Sequence, residues 1–589
     1  MSELTVIFPT AAALFILLLA GEYIRTRPLA PRREKREVHM QRADHLAAWG
    51  LAALYAVVAF VNLGDTRAVE SWCRPEGGEA LYFEIPEGES LGRVQWFAGL
   101  KTGSWELWQS ADGENWEAAM TLEHNYVAVL KWNESFADEA LPGPYFLLSG
   151  SGNIELGELG LYSARGERLY PPRCSENTAP LFDEAELVPD SQTYLNSAYF
   201  DEIYHPRTAW EGLRGMSMYE ITHPPLGKLI LSLGILLFGM CPFGWRFMGT
   251  LCGVLMLPLL YAFIKRLFGR RDMAVCGTLI FAADFMHFTQ TRIATIDTYG
   301  VLFTLGMYYF MYRFVDGENE KHPTGMLALS GLCFGLGAAS KWTCLYAGAG
   351  LAVIWLLYWV FRRELFRAPF WKNVGQCLVF FVAVPALIYY LSYLPYGLAE
   401  GMRFPGMYFR GDYLRLVLGN QSYMFGYHSD LVATHPYSSS WWQWLLDARP
   451  ILYYLDYFDD GGKSCIAAFT NPLLAWGGLA AVIGCAFASR RDRKALFILL
   501  GYLAQLLPWV PVSRLTFAYH YFPCSVFLTL AAVCCLDSIE SRGGQNWQRI
   551  SFTAAAIALF AAFYPVLSGH PIDRSLCTSL LQWFPSWPI

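Results

Sequence analysis

The chain has 589 residues, 44 Lys+Arg against 50 Asp+Glu, 54% hydrophobic residues and a net charge of −6. Residues 65–222 hold 27 of the acids but 10 of the bases, which leaves 23 acids and 34 bases elsewhere. An acidic insert in an apolar, basic-punctuated chain excludes a single soluble domain, a disordered chain and a nucleic-acid binder, which needs a basic surface stripe.

A bilayer takes about 20 residues of apolar helix. Runs of that kind fall near 5–21, 45–63, 246–264, 273–289, 299–314, 326–339, 344–361, 374–394, 471–488, 495–510, 517–536 and 551–567, with a shorter one at 226–240. The first has its basic residues after it rather than before, so it reads as a span with its N-terminus outside and not as a signal peptide. Arg25, Arg27, Arg32, Arg33, Lys35, Arg36 and Arg42 then mark a cytoplasmic loop. If 226–240 crossed, the clusters at Lys265–Arg271, Arg362–Lys372 and Arg490–Lys494 would all fall outside. If it is interfacial or re-entrant, six inner loops hold 23 basic residues and the short outer loops hold Arg292, Lys341 and Arg514. The second reading obeys the positive-inside rule and predicts a polytopic α-helical protein of the plasma membrane, with twelve crossings and both termini outside. Its segments are 1–64 (two spans and a basic loop), 65–180 (an external module), 181–242 (an external loop with interfacial helices), 243–394 (spans), 395–470 (an external loop) and 471–589 (the last spans and tail).

Within the insert, short alternating stretches at Arg93–Gly99, Ser104–Gln109, Tyr126–Lys131 and Tyr145–Leu148, with turn signals at Asp112-Gly113 and Pro142-Gly143, predict a β-sandwich. The run from Trp105 to Trp116, followed by Glu155-Leu-Gly-Glu-Leu-Gly-Leu-Tyr162, resembles discoidin-like carbohydrate-binding jelly rolls over roughly 70–172. Such modules often close their termini with a disulfide. The resemblance therefore implies a Cys73–Cys174 bridge, the alternative being two unrelated thiols. The other twelve cysteines lie in or beside apolar runs, where Cys behaves as a small hydrophobe. They show no metal-ligand spacing.

Asn196-Ser-Ala-Tyr-Phe-Asp-Glu-Ile-Tyr204 and Thr222-His-Pro-Pro-Leu-Gly-Lys228 precede the next spans on the outer side. Paired carboxylates at a membrane boundary are either solvated loop acids or functional groups. The further motifs on that face are Thr289-Gln-Thr-Arg-Ile-Ala-Thr-Ile-Asp297, Ser340-Lys-Trp342, His435-Pro-Tyr437, Ser513-Arg514 and Tyr519-His-Tyr-Phe522. Outer cations beside a carboxylate suit transfer from a lipid-linked phosphosugar: the cations stabilise the departing phosphate and the carboxylate accepts a proton. Asp284 and His287, at i, i+3 in the 273–289 run, form either a functional pair or an interhelical hydrogen bond.

In this order, over about 196–536, the motifs resemble the protein O-mannosyltransferase family, membrane glycosyltransferases of the GT-C class that use polyprenyl-phosphate sugars. The 76 residues of 395–470 leave no room for the β-trefoil of eukaryotic members, so the resemblance is to a bacterial-type member with an added sandwich. It implies Asp201 as general base, inversion at the sugar, and Glu202 either orienting Asp201 or touching the acceptor. It implies Arg292, Lys341 and Arg514 at the donor phosphate, unless each snorkels to lipid headgroups. His223, Lys228, Gln290, Asp297, Trp342, His435, Tyr437, His520 and Tyr521 would line the substrate pocket. His223 and Lys228 could instead anchor the interfacial helix, and the aromatic residues could belong to an interfacial belt. The implied partners are a polyprenyl-phosphate sugar, with mannose known only from the family, an exported protein or a glycan acceptor, and membrane lipid, with no nucleic acid. No cofactor or metal is expected. A cell-wall glycan or lipid acceptor is the alternative within the class. A carbohydrate-sensing receptor or transporter is the distant one, disfavoured because no internal repeat is visible and the polar motifs cluster at one surface.

Overall fold

Apolar runs in a bilayer must satisfy their backbone groups internally, and these do so as helices. A computed structural model describes residues 3–29, 36–74, 79–150, 154–316, 320–361 and 369–589. Six of the expected cytoplasmic basic residues, Arg32, Arg33, Lys35, Arg362, Arg363 and Arg367, lie outside the described residues. The chain divides into two compact units. One comprises Met1–Val61, Gly212–Leu231 and Phe247–Ile589; the other comprises Asn62–Glu211 and Ser232–Arg246.

The first unit is mainly helical. Helices α1 (Glu3–Thr26) and α2 (Arg42–Phe60) open the chain; the short α3 (His205–Leu213), most of which belongs to the second unit, and α4 (Leu226–Phe238), which the unit boundary divides, precede α5 (Pro242–Phe268), which begins the main set. Next come α6 (Arg271–Ala282), α7 (Phe285–Arg292), α8 (Asp297–Val315), α9 (Pro323–Ser340) and α10 (Thr343–Phe361). The helical run Phe370–Ala399 is α11. After it come α12 (Gly411–Asp430), α13 (Trp441–Leu445), α14 (Pro472–Ala488), α15 (Arg493–Leu506), α16 (Phe522–Ser541) and α17 (Trp547–Ser568). Eleven of the twelve expected crossings are each centred on one of these helices. Among the described residues, eight helices are long and apolar enough to cross a membrane. Helix α4 has 13 residues, about 20 Å at 1.5 Å per residue, well short of a hydrocarbon core of about 30 Å.

One expected span is broken. The run 273–289 is not a single helix: α6 ends at Ala282 and α7 starts after Asp284, whose side chain caps it by accepting from the His287 backbone N–H at 3.2 Å. The second Asp284 oxygen accepts from the Asn471 N–H at 2.9 Å, and His287 Nε2 contacts the Gly253 carbonyl at 3.1 Å. These two side chains therefore join the helix break to neighbouring helices.

The second unit contains the sandwich, built from β1 (Ala80–Glu84), β2 (Leu91–Ala98), β3 (Gly103–Ser110), β4 (Glu117–His124), β5 (Lys131–Leu141), β6 (Tyr145–Gly150), β7 (Leu156–Ser163) and β8 (Arg168–Leu169). Two antiparallel sheets form, β1-β6-β3-β4 and β5-β2-β7-β8. Buried Trp96, Trp105, Leu107, Leu122, Leu159 and Leu161 belong to one hydrophobic core. Three of the four expected strands are present. The fourth, 126–131, is a turn instead. Asn125 Oδ1 accepts from the N–H groups of Val127 and Ala128 at 3.0 and 3.2 Å, and Leu130 has φ +59°, so pairing begins only at Lys131.

The disulfide expected between Cys73 and Cys174 is not formed; both thiols are free. Cys73 makes a backbone bridge to Leu156 of one sheet, whereas Cys174 bridges to Phe83 of the other. Cys73 Sγ is buried and donates to the Asn177 carbonyl at 3.3 Å, while burial pushes its pKa up to about 11.

The expected loop 395–470 is more ordered than a loop. It holds α12, α13 and a hairpin of β9 (Ile451–Tyr457) and β10 (Gly462–Ala468), to which β11 (Ile572–Asp573) adds an edge.

Candidate active site

In the second unit, Asp201 and Glu202 sit side by side on a 3-10 turn, Phe200–Ile203, that immediately precedes α3. Glu202 is fully buried, and so is its partner Arg246. The Arg246 guanidinium donates to both Glu202 oxygens at 2.8 and 2.6 Å and to the carbonyls of Leu63, Tyr194 and Ser197 at 2.6–2.9 Å. Trp245 Nε1 adds a bond to Glu202 at 3.2 Å, and the Tyr199 ring lies 4.8 Å from the Arg246 carbon. Of the two parts implied for Glu202, acceptor contact is closed to a carboxylate with no exposed surface. Holding the turn that presents half-buried Asp201 is the part its surroundings allow.

In the first unit, the segment before α4 is organised by Glu220, a residue the sequence motifs did not single out. Lys228 pairs with its carboxylate and donates to the Glu220 and His223 carbonyls at 2.6 and 3.2 Å. His223 Nδ1 lies 3.1 Å from the same carboxylate. Lys228 is 3% exposed, so it serves as an internal tie of this turn.

His428, near the C-terminus of α12, completes the group. Its Nε2 is 2.9 Å from the Thr222 carbonyl, and its ring lies edge-on to His223 at 5.3 Å and tilted to Trp342 at 6.4 Å. Burial, and after it the charges of His223, Arg514 and Lys341, push its pKa down to about 4, against the pull of the Thr222 carbonyl. At neutral pH the ring is therefore neutral. A carbonyl can only accept, so Nε2 carries the hydrogen and Nδ1 presents a lone pair. That atom is buried and has no hydrogen-bond partner among the described residues.

Lys341, at the start of the α9–α10 turn, pairs with Asp297 at the N-terminus of α8 at 2.5 Å. Its ammonium lies 5.5 Å from the Tyr519 ring centre, and Tyr519 stacks on His520 at 4.6 Å. Asp297, Lys341, Gln505, Tyr519 and His520 line a cavity of about 10 Å³, about the room of one water. Trp342 Nε1 donates to Tyr389 Oη at 3.1 Å. His435 accepts from the Tyr437 N–H at 3.2 Å and packs at 5.1 Å against Phe517, the residue that begins the turn leading to His520.

Three candidates are committed elsewhere. Arg292 donates to the Ala59 and Val61 carbonyls at 2.7 and 2.8 Å and lies over Phe288. It closes the C-terminus of α2, where helix carbonyls lack internal partners, and neither headgroup snorkelling nor phosphate contact describes this position. Gln290 is 1% exposed, donates to Thr295 Oγ1 at 3.0 Å and accepts from Tyr453. Tyr521 is buried with its hydroxyl 2.7 Å from that of Tyr502, a core contact. The first unit thus gathers His223, His428, Trp342, Lys341, Asp297, Tyr519, His520 and Arg514 into one aromatic, cation-rich group. The motifs missed His428, a member of this group, and Glu220, which lies 3.1 Å from its His223. Glu220 abuts the Thr222-His223 motif and could have been read from it. Nothing local in the sequence points to His428.

Such a group can hold a phosphate by charge and a sugar ring by aromatic faces. Residues 222–389 match a family model described as dolichyl-phosphate-mannose-protein mannosyltransferase, and 487–587 match one for the C-terminal four-span region of protein O-mannosyltransferase. The chain is 27% identical over 467 residues to the polyprenol-phosphate-mannose–protein mannosyltransferase of Mycolicibacterium smegmatis, covering 67% of this chain and 89% of that protein. It is 25% identical over 476 residues to the protein of the same name from Corynebacterium glutamicum, covering 69% and 88%. Among solved structures it shares the fold of a protein O-mannosyltransferase complex of Saccharomyces cerevisiae bound to the sugar donor. The TM-score is 0.58 at 15% identity, over 67% of this chain and 90% of that one.

Proposed function

We propose that the chain is a member of the protein O-mannosyltransferase family, a multi-pass glycosyltransferase that moves mannose from a polyprenyl phosphate to Ser or Thr hydroxyls of exported proteins at the outer face of the cell membrane; the two family-model matches and the mycobacterial relative support this. The acceptor oxygen attacks the anomeric carbon from the side opposite the phosphate, a new C–O bond forms, and the old one breaks with its electron pair leaving on the phosphate. The sugar inverts. Asp201 takes the hydroxyl proton, and Glu202, through Arg246, holds the turn that carries it. Lys341 and Arg514 offset the charge of the departing phosphate, while Trp342, His520 and His435 with Tyr437 offer faces and hydrogen bonds to the sugar. The chemistry uses no metal.

The observation that carries this reading is the packing of His223 and Trp342 against His428 at 5.3 and 6.4 Å, next to the Lys341–Asp297 pair. A lone surface cation that snorkels to lipid needs no such surroundings. The test is reconstitution in liposomes with a panel of polyprenyl-phosphate sugars and with peptide or glycan acceptors. Peptide mannosylation that survives chelation is expected. Asp201→Asn should lower it by about 10²–10⁴-fold with the protein still folded. Transfer to glycans alone would replace the acceptor, and transfer undiminished in Asp201→Asn would remove the base.

A further inference from the structure

The outer face of the β5-β2-β7-β8 sheet carries an acidic feature that sugar transfer does not use. In β7, Trp96 pairs with Leu159 and Ala98 with Leu156, so Gly157 and Glu158 together face Phe97. This is a β-bulge, a device that re-aims a side chain. Leu156 and Leu159 on either side enter the sandwich core, as do Trp96 and Ala98, whereas Phe97 belongs to a separate cluster on the opposite face with Leu187 and Val188. Glu158 is turned to that opposite face and is fully buried.

There it meets Asp183 and Glu184 of the segment that follows the sandwich. One oxygen from each of the three carboxylates lies within 4.8 Å of the other two. Oxygens sharing one calcium ion at about 2.4 Å can be up to about 5 Å apart. Glu158 Oε2 accepts from the Glu184 N–H at 3.0 Å, but Oε1 has no hydrogen-bond partner among the described residues. The Glu184 carboxylate also accepts from the Glu70 and Ser71 N–H groups at 2.9 and 3.0 Å, which fixes it in place. The cation to weigh is Arg168. Its guanidinium lies over Tyr162 and Tyr170 at 5.5 Å each, and it reaches the Ala185 carbonyl at 3.5 Å. Three carboxylates brought this close, one of them buried and with an oxygen that has no hydrogen-bond partner among the described residues, call for either a proton or a cation between them.

We propose that Glu158, Asp183 and Glu184 hold a hard divalent cation, calcium, which ties the bulge of β7 to the segment that follows the sandwich. The donor set is all oxygen, the preference of calcium over zinc or copper. Glu158 supplies the buried ligand, and exposed Asp183 faces the side from which the ion and its remaining waters enter.

The full-length protein in detergent, stripped with a chelator, tests this with calcium alone and with terbium as a luminescent substitute. One saturable site is expected, with calcium displacing terbium and raising the unfolding temperature by on the order of 3 °C. Glu158→Gln is near-isosteric and should weaken calcium at least about tenfold without lowering the unfolding temperature of the stripped protein. Asp183→Asn, at an exposed position, should weaken it by about the same factor and keeps the test alive if the first variant folds poorly. The proposal fails if millimolar calcium neither binds nor stabilises. It fails equally if magnesium alone binds, or if Glu158→Gln binds calcium as the parent does. These readouts are binding and unfolding, so they stand apart from whether the protein transfers sugar.

Discussion

Two carboxylate–cation pairs in this molecule are made of the same chemistry and end in opposite uses. In Glu202–Arg246 both side chains are 0% exposed, and all five guanidinium hydrogens are spent, two on the carboxylate and three on backbone carbonyls. In Lys341–Asp297 the side chains are 10% and 11% exposed and the pair borders a small cavity. An ammonium has three hydrogens, and the carboxylate of Asp297 takes one at 2.5 Å. A pair that spends every donor on its own chain is a fastener, whereas one that keeps donors toward a cavity can bind something else. Arginine's planar fork suits the first use and the compact lysine point charge the second.

The largest effect that could break this contrast is on folding. Glu202→Gln leaves Arg246 buried without its counter-charge, and losing one partner of such a pair costs about 3–5 kcal/mol. Thermal unfolding and membrane yield should both collapse, and a variant that unfolds like the parent would overturn the assignment of Glu202 as a fastener. Lys341→Gln should do the reverse. Sugar transfer should fall by about 10²–10³-fold, the range for losing one donor to developing charge, with the yield of folded protein kept. If yield fell with activity, the two pairs would belong to one class.

The contrast also marks what the sequence could reveal. The helical places were legible because a bilayer imposes length and apolarity, and the sandwich because strands alternate. Asp201, Lys341 and His223 stood out as charges where the membrane boundary makes charge costly. Arg246 did not. It sits in the fifth position of a long apolar helix, and the four residues that accept its five hydrogen bonds come from stretches up to 183 residues away. The break at Ala283-Asp284 was hidden because an N-cap Asp and an intramembrane functional Asp look alike in a run of apolar residues. His428 was invisible for a related reason. The segment 395–470 lacks strong periodicity, so nothing fixed α12 or the turn of the chain that returns it to Thr222.

Arg292 tests the contrast from the middle. It was chosen with Lys341 as a phosphate ligand, yet its bonds to the Ala59 and Val61 carbonyls give it the fastener's pattern. Arg292→Gln should therefore cost about 1–3 kcal/mol of stability, seen as a lowered unfolding temperature, and leave the KM for the lipid-linked donor unchanged. A raised donor KM with intact stability would move Arg292 to the side of Lys341.

The smallest effect is a pH dependence at His428, where the sign can be worked out. Its pKa falls from the ordinary 6.5 to about 4 in the folded protein, mainly through burial and then through the electrostatic influence of His223, Arg514 and Lys341. Between those values the unfolded chain binds a proton that the folded one refuses. The stability that neutral His428 contributes is fully present above about pH 6.5 and is lost as the pH falls toward 4. His428→Gln can keep an amide donor for the Thr222 carbonyl but cannot titrate. Its unfolding temperature should fall less steeply than the parent's on going from pH 6.5 to 4.5, while the two should run parallel above pH 7. A parent curve as flat as the variant's would mean that His428 is solvated in the folded state, and His223 and Trp342 would then pack against no neutral ring.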